Sequence, residues 1–315
     1  MTDPGAASLP GRPPMVGTAV LVVAFVFLAP PLFLLVPLAL LLIFSRPRTG
    51  REWLWLALTL AGTARLLGDF DPPSLPARII SSGAIMMGAV FTLLALAWKA
   101  PTLERALVAV AVAAAGVVGW CSASGITIAE LDTVIVADLR RSLEVWLTDA
   151  PADQRTGAMA TAPAVARVFP GLLALQALAG LGLAWRWYHR IAAQPLGPVP
   201  GPLATFRFND HLIWGAIFTL GLVLVPLGDL INRVAGSALV TWVGLYATRG
   251  AAIVATAARG WPLPGKILML VLSFLALPIA LGTMVSLGVA DTWLDFRNRA
   301  VPNAGGGNAD GSDSP

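Results

Sequence analysis

Residues 16–44 carry no charged side chain, and Pro30 and Pro31 fall in their middle. Two adjacent prolines remove two backbone donors, so a straight helix across them is unfavourable. The pattern predicts two short helices, 16–29 and 32–44, with one kinked span as the alternative. Each half would reach only ~20 Å at ~1.5 Å per residue, short of a hydrocarbon core ~30 Å thick. Further apolar runs lie at 53–67, 80–98, 107–120, 165–185, 212–225, 237–257 and 267–287, parted by short segments rich in Arg, Pro or Gly. The expectation is an all-α fold, a polytopic transmembrane helical bundle of eight or nine spans.

One long polar stretch interrupts this series. Within 122–164, a helix over 129–147 places Leu131, Ile135, Leu139 and Trp146 near one face, with Asp132, Arg140, Arg141 and Glu144 largely elsewhere. Arg140 and Glu144 are spaced for an i,i+4 ion pair. Pro151 stops this helix, and the Gly/Ala/Thr-rich residues to Pro163 read as a flexible linker. An amphipathic helix outside the membrane fits the outer leaflet surface, with a lid or a docking surface as alternatives. The chain therefore divides into a disordered N-terminus (1–15), N-terminal membrane helices (16–121), an outward loop with its helix (122–164), C-terminal membrane helices (165–299) and a disordered tail (300–315).

Composition sharpens the picture. Of 315 residues, 57% are hydrophobic and 12% charged, with a mean hydropathy of +0.77. Soluble domains carry roughly 25% charged residues, so a water-soluble fold of this size is excluded. The net charge of +4, from 21 Lys+Arg against 17 Asp+Glu, reads as positive-inside loop charge and not as a nucleic-acid surface. Arg46, Arg48 and Arg51, then Lys99 and Arg105, then Arg186, Arg190 and Arg207, then Arg259 and Lys266 alternate as cytoplasmic loops. Arg297 and Arg299 run against that order. Trp53, Trp55, Trp98, Trp120, Trp185, Trp187, Trp214 and Trp261 sit near helix ends, as interfacial anchors do. The expected location is a bacterial cytoplasmic membrane, with the lipid bilayer and other membrane subunits as partners. A sole cysteine, Cys121, and two histidines, His189 and His211, argue against a disulfide, a metal centre or a bound cofactor.

Ionisable residues inside apolar helices are the functional candidates, because each costs at least ~2.5–3.5 kcal/mol in the bilayer. Asn209, Asp210 and His211 open the run at 212, where Asn or Asp capping competes with a proton- or ligand-handling role for Asp210 and His211. Asp229, Asn232 and Arg233 read as an outward turn with a local ion pair. Arg249 lies within a span, either snorkelling to the headgroups or pairing with an acid such as Asp210. Asp291, Asp295 and Arg297 follow the last run, and the two acids share a helix face. No motif for nucleophilic, phosphate-binding or zinc chemistry occurs in a supporting context. Small-xxx-small spacings at Ala84/Gly88, Ala111/Ala115/Gly119 and Gly180/Ala184 would allow close helix packing.

The segment Leu287-Gly288-Val289-Ala290-Asp291-Thr292-Trp293-Leu294-Asp295-Phe296-Arg297 resembles the closing L-G-x-x-D-x-x-x-D-F-R of the YybS-like bacterial membrane proteins. Asn232, Leu245-Tyr246 and Gly250 are similar to the N…Y…G pattern that precedes it. That family is distantly similar to the substrate-binding (S) components of energy-coupling-factor transporters and to the rod-shape protein MreD. The resemblance implies short first helices and no established site residue. It departs from the S components in its first helix, where Ala19, Ala24 and Ala29 stand five apart and not four. The reading this favours is a non-enzymatic membrane protein that binds or translocates a small solute. A membrane scaffold of the cell envelope is the alternative.

Overall fold

The computed structural model describes residues 15–68, 74–203 and 206–294. Among them the chain is helical and no strand occurs. The helices are α1 (Met15–Leu28), α2 (Leu32–Phe44), α3 (Gly50–Gly68), α4 (Leu75–Ala97), α5 (Thr102–Ala123), α6 (Ile128–Trp146), α7 (Ala152–Ile191), α8 (Leu212–Leu224), α9 (Asp229–Ala257), α10 (Leu263–Leu275) and α11 (Leu277–Leu294). Five of them, α4, α5, α7, α9 and α11, are long and apolar enough to cross a membrane, fewer than the eight or nine expected. The shortfall lies in the runs at 16–29, 32–44, 53–67 and 212–225: α1, α2 and α8 have only 14, 13 and 13 residues, and the 19-residue α3 carries Arg51, Glu52 and Arg65. The expected span at 267–287 is two helices, because Pro278 has no N–H to carry the ladder past Ala276. The expected disordered termini fall outside the described residues.

Two compact units form, Met1–Pro200 with Val225–Ala238, and Gly201–Leu224 with Leu239–Pro315. In the first, α2 is the hub. The break at Pro30–Pro31 frees it from α1, and Leu32, Phe33, Leu34, Val36, Leu38, Leu41 and Leu42 are buried on every side against α3, α4 and α7. A helix apolar all round has to be enclosed, and this one is. Pro37 takes the helical donor away from the Phe33 carbonyl, and Gly180 of α7 packs against that same carbonyl, where an added Cβ would lie 2.7 Å from it. Gly88 of α4 packs beside Val36 and Pro37, where an added Cβ would lie 3.0 Å from Val36 Cγ1. The spacings Ala84/Gly88 and Gly180/Ala184 are thus true packing faces, whereas Ala111, Ala115 and Gly119 are exposed and α5 packs through Ala106, Ala109 and Ala113.

The segment read as a flexible linker is helix. α7 starts at Ala152 and runs 40 residues, ~60 Å at ~1.5 Å per residue, or about twice a hydrocarbon core. Its first turns pack on α6, which Thr127 and Glu130 open with a reciprocal capping box. Ile135 of α6 is buried, but Trp146 is fully outside the packed face at 86% exposure. Among the described residues no ion pair joins Arg140 to Glu144. Asp132 pairs instead with Arg233, which therefore does not form the local pair with Asp229 that its turn suggested. That turn is itself helical, because α9 begins at Asp229.

The tryptophans divide. Trp53, Trp98, Trp214 and Trp261 are exposed as anchors should be, while Trp185 and Trp187 are core residues of α7. Trp187 meets Trp55 edge-on at 5.2 Å.

One buried carboxylate ties the ends of α2, α3 and α7 together. Glu52, 3% exposed in the first turn of α3, accepts the Arg48 and Thr49 N–H groups and the Thr49 hydroxyl at one oxygen, and the Ala193 N–H at 2.7 Å on the other. Burial alone would raise its carboxyl, but these four donors outweigh it and hold the pKa at about 2, against an ordinary 4.5. A depressed carboxyl contributes stability above its unfolded pKa and loses it as pH falls toward the folded one. The clasp should contribute about 3 kcal/mol above pH ~5 and lose it between there and pH ~2. In a pH series of thermal unfolding in mild detergent, Glu52→Gln should melt lower at pH 7, with the gap narrowed to about half at pH 3 and closing only toward pH ~2. A gap independent of pH would show that the charge is not what stabilises the clasp.

Candidate functional site

In the second unit the chain buries a charge. Arg249 of α9 has no exposed surface, so it does not snorkel; it is held by two carboxylates. Its Nε donates to Asp291 Oδ2 at 2.9 Å, its Nη2 to the Asp291 carbonyl at 3.2 Å, and its Nη1 to Asp210 Oδ1 at 2.7 Å. The planar guanidinium suits this arrangement, since its donors point along separate directions in one plane. The Phe208 ring lies 5.2 Å from its Cζ, and Tyr246 closes edge-on against Phe208 at 5.2 Å. Arg207 reaches the other oxygen of Asp210 at 3.1 Å, so two guanidinium groups share one carboxylate.

Local sequence explains how Asp210 is free for this. Asn209, not Asp210, does the capping: its Oδ1 accepts the His211 N–H at 3.0 Å, and the Asn209 carbonyl receives the Leu212 N–H. Burial by itself would raise the Asp210 carboxyl, but the bonds from Arg249 and Arg207 prevail and hold it below the ordinary carboxylate range. The side chain of Asp210 is 40% exposed while that of Arg249 is fully enclosed.

Close helix contact delivers Asp291. At Gly250 an added Cβ would fall 1.8 Å from the Met284 carbonyl, and at Gly288 2.0 Å from the Tyr246 carbonyl. These reciprocal glycines bring the backbones of α9 and α11 together one residue and three residues, respectively, from Arg249 and Asp291. Tyr246, Gly250, Gly288 and Asp291, all of them residues of the quoted sequence pattern, form the crossing and its ion pair.

Of the residues singled out in the sequence, Asp210, Arg249 and Asp291 come together. His211 takes part through its backbone only. Asn232 belongs to the first unit, where its Oδ1 is buried without a hydrogen-bond partner. Asp295 and Arg297 lie outside the described residues. Arg207 and Phe208 were missed as site residues; the i,i+3 spacing of Arg207 to Asp210 was the available signal. Among the described residues, no group of three or more His, Cys, Asp or Glu side chains is placed to hold a metal ion. Compared with family models, curated proteins and solved structures, the chain matches none.

Proposed function

We propose that this membrane protein binds or translocates a small solute, and that the Arg249 cluster is where the solute's charge is handled. The supporting observation is the mixed exposure of one ion pair: an enclosed guanidinium whose partner, Asp210, is 40% exposed and already shared with Arg207. An incoming carboxylate can take the place of Asp210 on Arg249 Nη1 while Asp210 keeps Arg207, so the exchange leaves no buried charge unpaired. In this reading the protein is a bacterial cytoplasmic membrane protein related to the YybS-like group, and α2, α3 and α8 supplement the five long helices toward eight spans. No reaction is assigned to it.

The test is a thermal-shift screen of the purified chain against small carboxylate-bearing solutes. A solute that stabilises the wild type should bind at least ~10-fold more weakly to Arg249→Lys, which keeps the charge but loses the fork. Asp210→Asn should impair uptake into proteoliposomes without preventing membrane insertion. Equal affinity for wild type and Arg249→Lys would remove the cluster from the binding role. The scaffold reading has its own observation: α10 has no buried residue and exposes Leu268, Leu270, Phe274 and Leu275. Recovery of envelope-assembly proteins with the chain, and no stabilising solute, would favour it.

A further inference from the structure

The first unit holds a second buried arginine, and its surroundings differ from those of Arg249. Arg105, read from sequence as a loop charge, is 2% exposed, in the second turn of α5. Its guanidinium lies 4.9 Å over the ring of Trp185, which is fully buried. Among the described residues, its one side-chain hydrogen bond is Nη2 to Thr102 Oγ1 at 3.3 Å. Neither Glu104, its chain neighbour, nor Glu52 is ion-paired with it among the described residues. The Nε of Arg105 and the Nε1 of Trp185 are both buried donors with no acceptor. A guanidinium out of water without a counter-charge, beside a second unsatisfied N–H, is costly twice over.

The cover over these donors is thin. Residues 192–200 leave α7 and fold back, and Gly197, at φ +69, lies against Trp185 with its carbonyl 3.4 Å from His189 Nε2. An added Cβ there would stand 3.3 Å from the indole and 3.9 Å from Arg105 Nη2. Gly197 itself is exposed, so one layer of backbone separates the donors from the outside. The start of α5 adds its positive end, which disfavours a cation and favours an anion. The basic residues Arg48, Arg51, Lys99 and Arg186 belong to the segments that meet at this end of the unit, and Arg51 is bonded to the Arg190 carbonyl there.

We propose that Arg105 and Trp185, beneath residues 192–200, form a binding site for one phosphate-class oxyanion. The anion supplies the missing counter-charge and accepts from both Arg105 Nε and Trp185 Nε1. The site is separate from the Arg249 cluster and does not depend on the solute-binding reading. A free phosphate and the phosphate of an anionic phospholipid present the same chemistry, and their masses tell them apart.

Native mass spectrometry of the full chain, released from mild detergent, makes the test. The chain is incubated with inorganic phosphate, with phosphatidylglycerol, or with zwitterionic phosphatidylcholine as control. Wild type should retain one phosphate-mass or one phosphatidylglycerol-mass adduct, and no phosphatidylcholine at the same concentration. Adduct occupancy should fall at least ~5-fold in Arg105→Gln, and Arg141→Ala, at an exposed position of α6, should leave it unchanged. Should Arg105→Gln fail to purify, Arg105→Lys and Trp185→Phe carry the test, since each keeps charge or ring and loses one of the two donors. No adduct from either anion, or unchanged occupancy in the Arg105 and Trp185 variants, overturns the proposal.

Discussion

Arg249→Ala is expected to lower the thermal midpoint of the purified protein by roughly 10 °C, the equivalent of about 3–5 kcal/mol. The reason lies in what remains. Asp291 is 1% exposed and accepts from Arg249 Nε at 2.9 Å, so the variant leaves a carboxylate enclosed without its cation. Asp210 loses one partner but keeps Arg207 and its solvent contact, and adds little to the cost. The prediction separates an unpaired charge from a mere loss of volume. Arg249→Leu combined with Asp291→Leu removes both charges and fills part of the space, and should recover most of the lost midpoint. An Arg249→Ala midpoint within ~2 °C of wild type would mean that the pair does not hold the second unit together.

The other large effect is expected where α9 meets α11. Gly250→Ala would put a methyl group 1.8 Å from the Met284 carbonyl oxygen, and Gly288→Ala one 2.0 Å from that of Tyr246. Both clashes are with backbone, so no rotamer change relieves them and the helices have to part. Each substitution should cost about 2–3 kcal/mol in unfolding, despite the better helix propensity of alanine. Parting the helices also draws Asp291 from Arg249, so the cost should be smaller when tested in the background without both charges. Gly282→Ala in the same helix is the control. Nothing lies within 4 Å of its added Cβ, and it should stabilise by up to ~1 kcal/mol. If Gly250→Ala and Gly288→Ala melt like Gly282→Ala, the close crossing of α9 and α11 is wrong.

The two arginines show what can be read from a chain and what cannot. Arg105 and Arg249 look alike in the sequence, each a basic residue at or within an apolar run. One is matched by carboxylates from two other segments, and the other by an indole face and a threonine hydroxyl. Pairing of Arg249 with Asp210 was one of two readings the sequence left open. The arrival of Asp291 was not among them, because its spacing to Asp295 pointed to a shared face on one helix. Likewise Arg233 had Asp229 nearby in the chain, yet its partner, Asp132, is 101 residues away.

Properties carried by short stretches were decided by the amino-acid sequence alone. Hydropathy made the chain helical, with five helices long and apolar enough to cross a membrane, and the two missing N–H groups at Pro30 and Pro31 split α1 from α2 at the expected place. The face of α6 that holds Ile135 follows from a local period as well. Tertiary structure decided which prolines end a helix and which are tolerated, since Pro163 and Pro170 sit inside α7 while α10 and α11 part at Pro278. It also decided which small residues pack and which charges are enclosed. A methyl group's clearance and a guanidinium's counter-charge are both set by what arrives from elsewhere in the chain, and spacing along one helix does not record that.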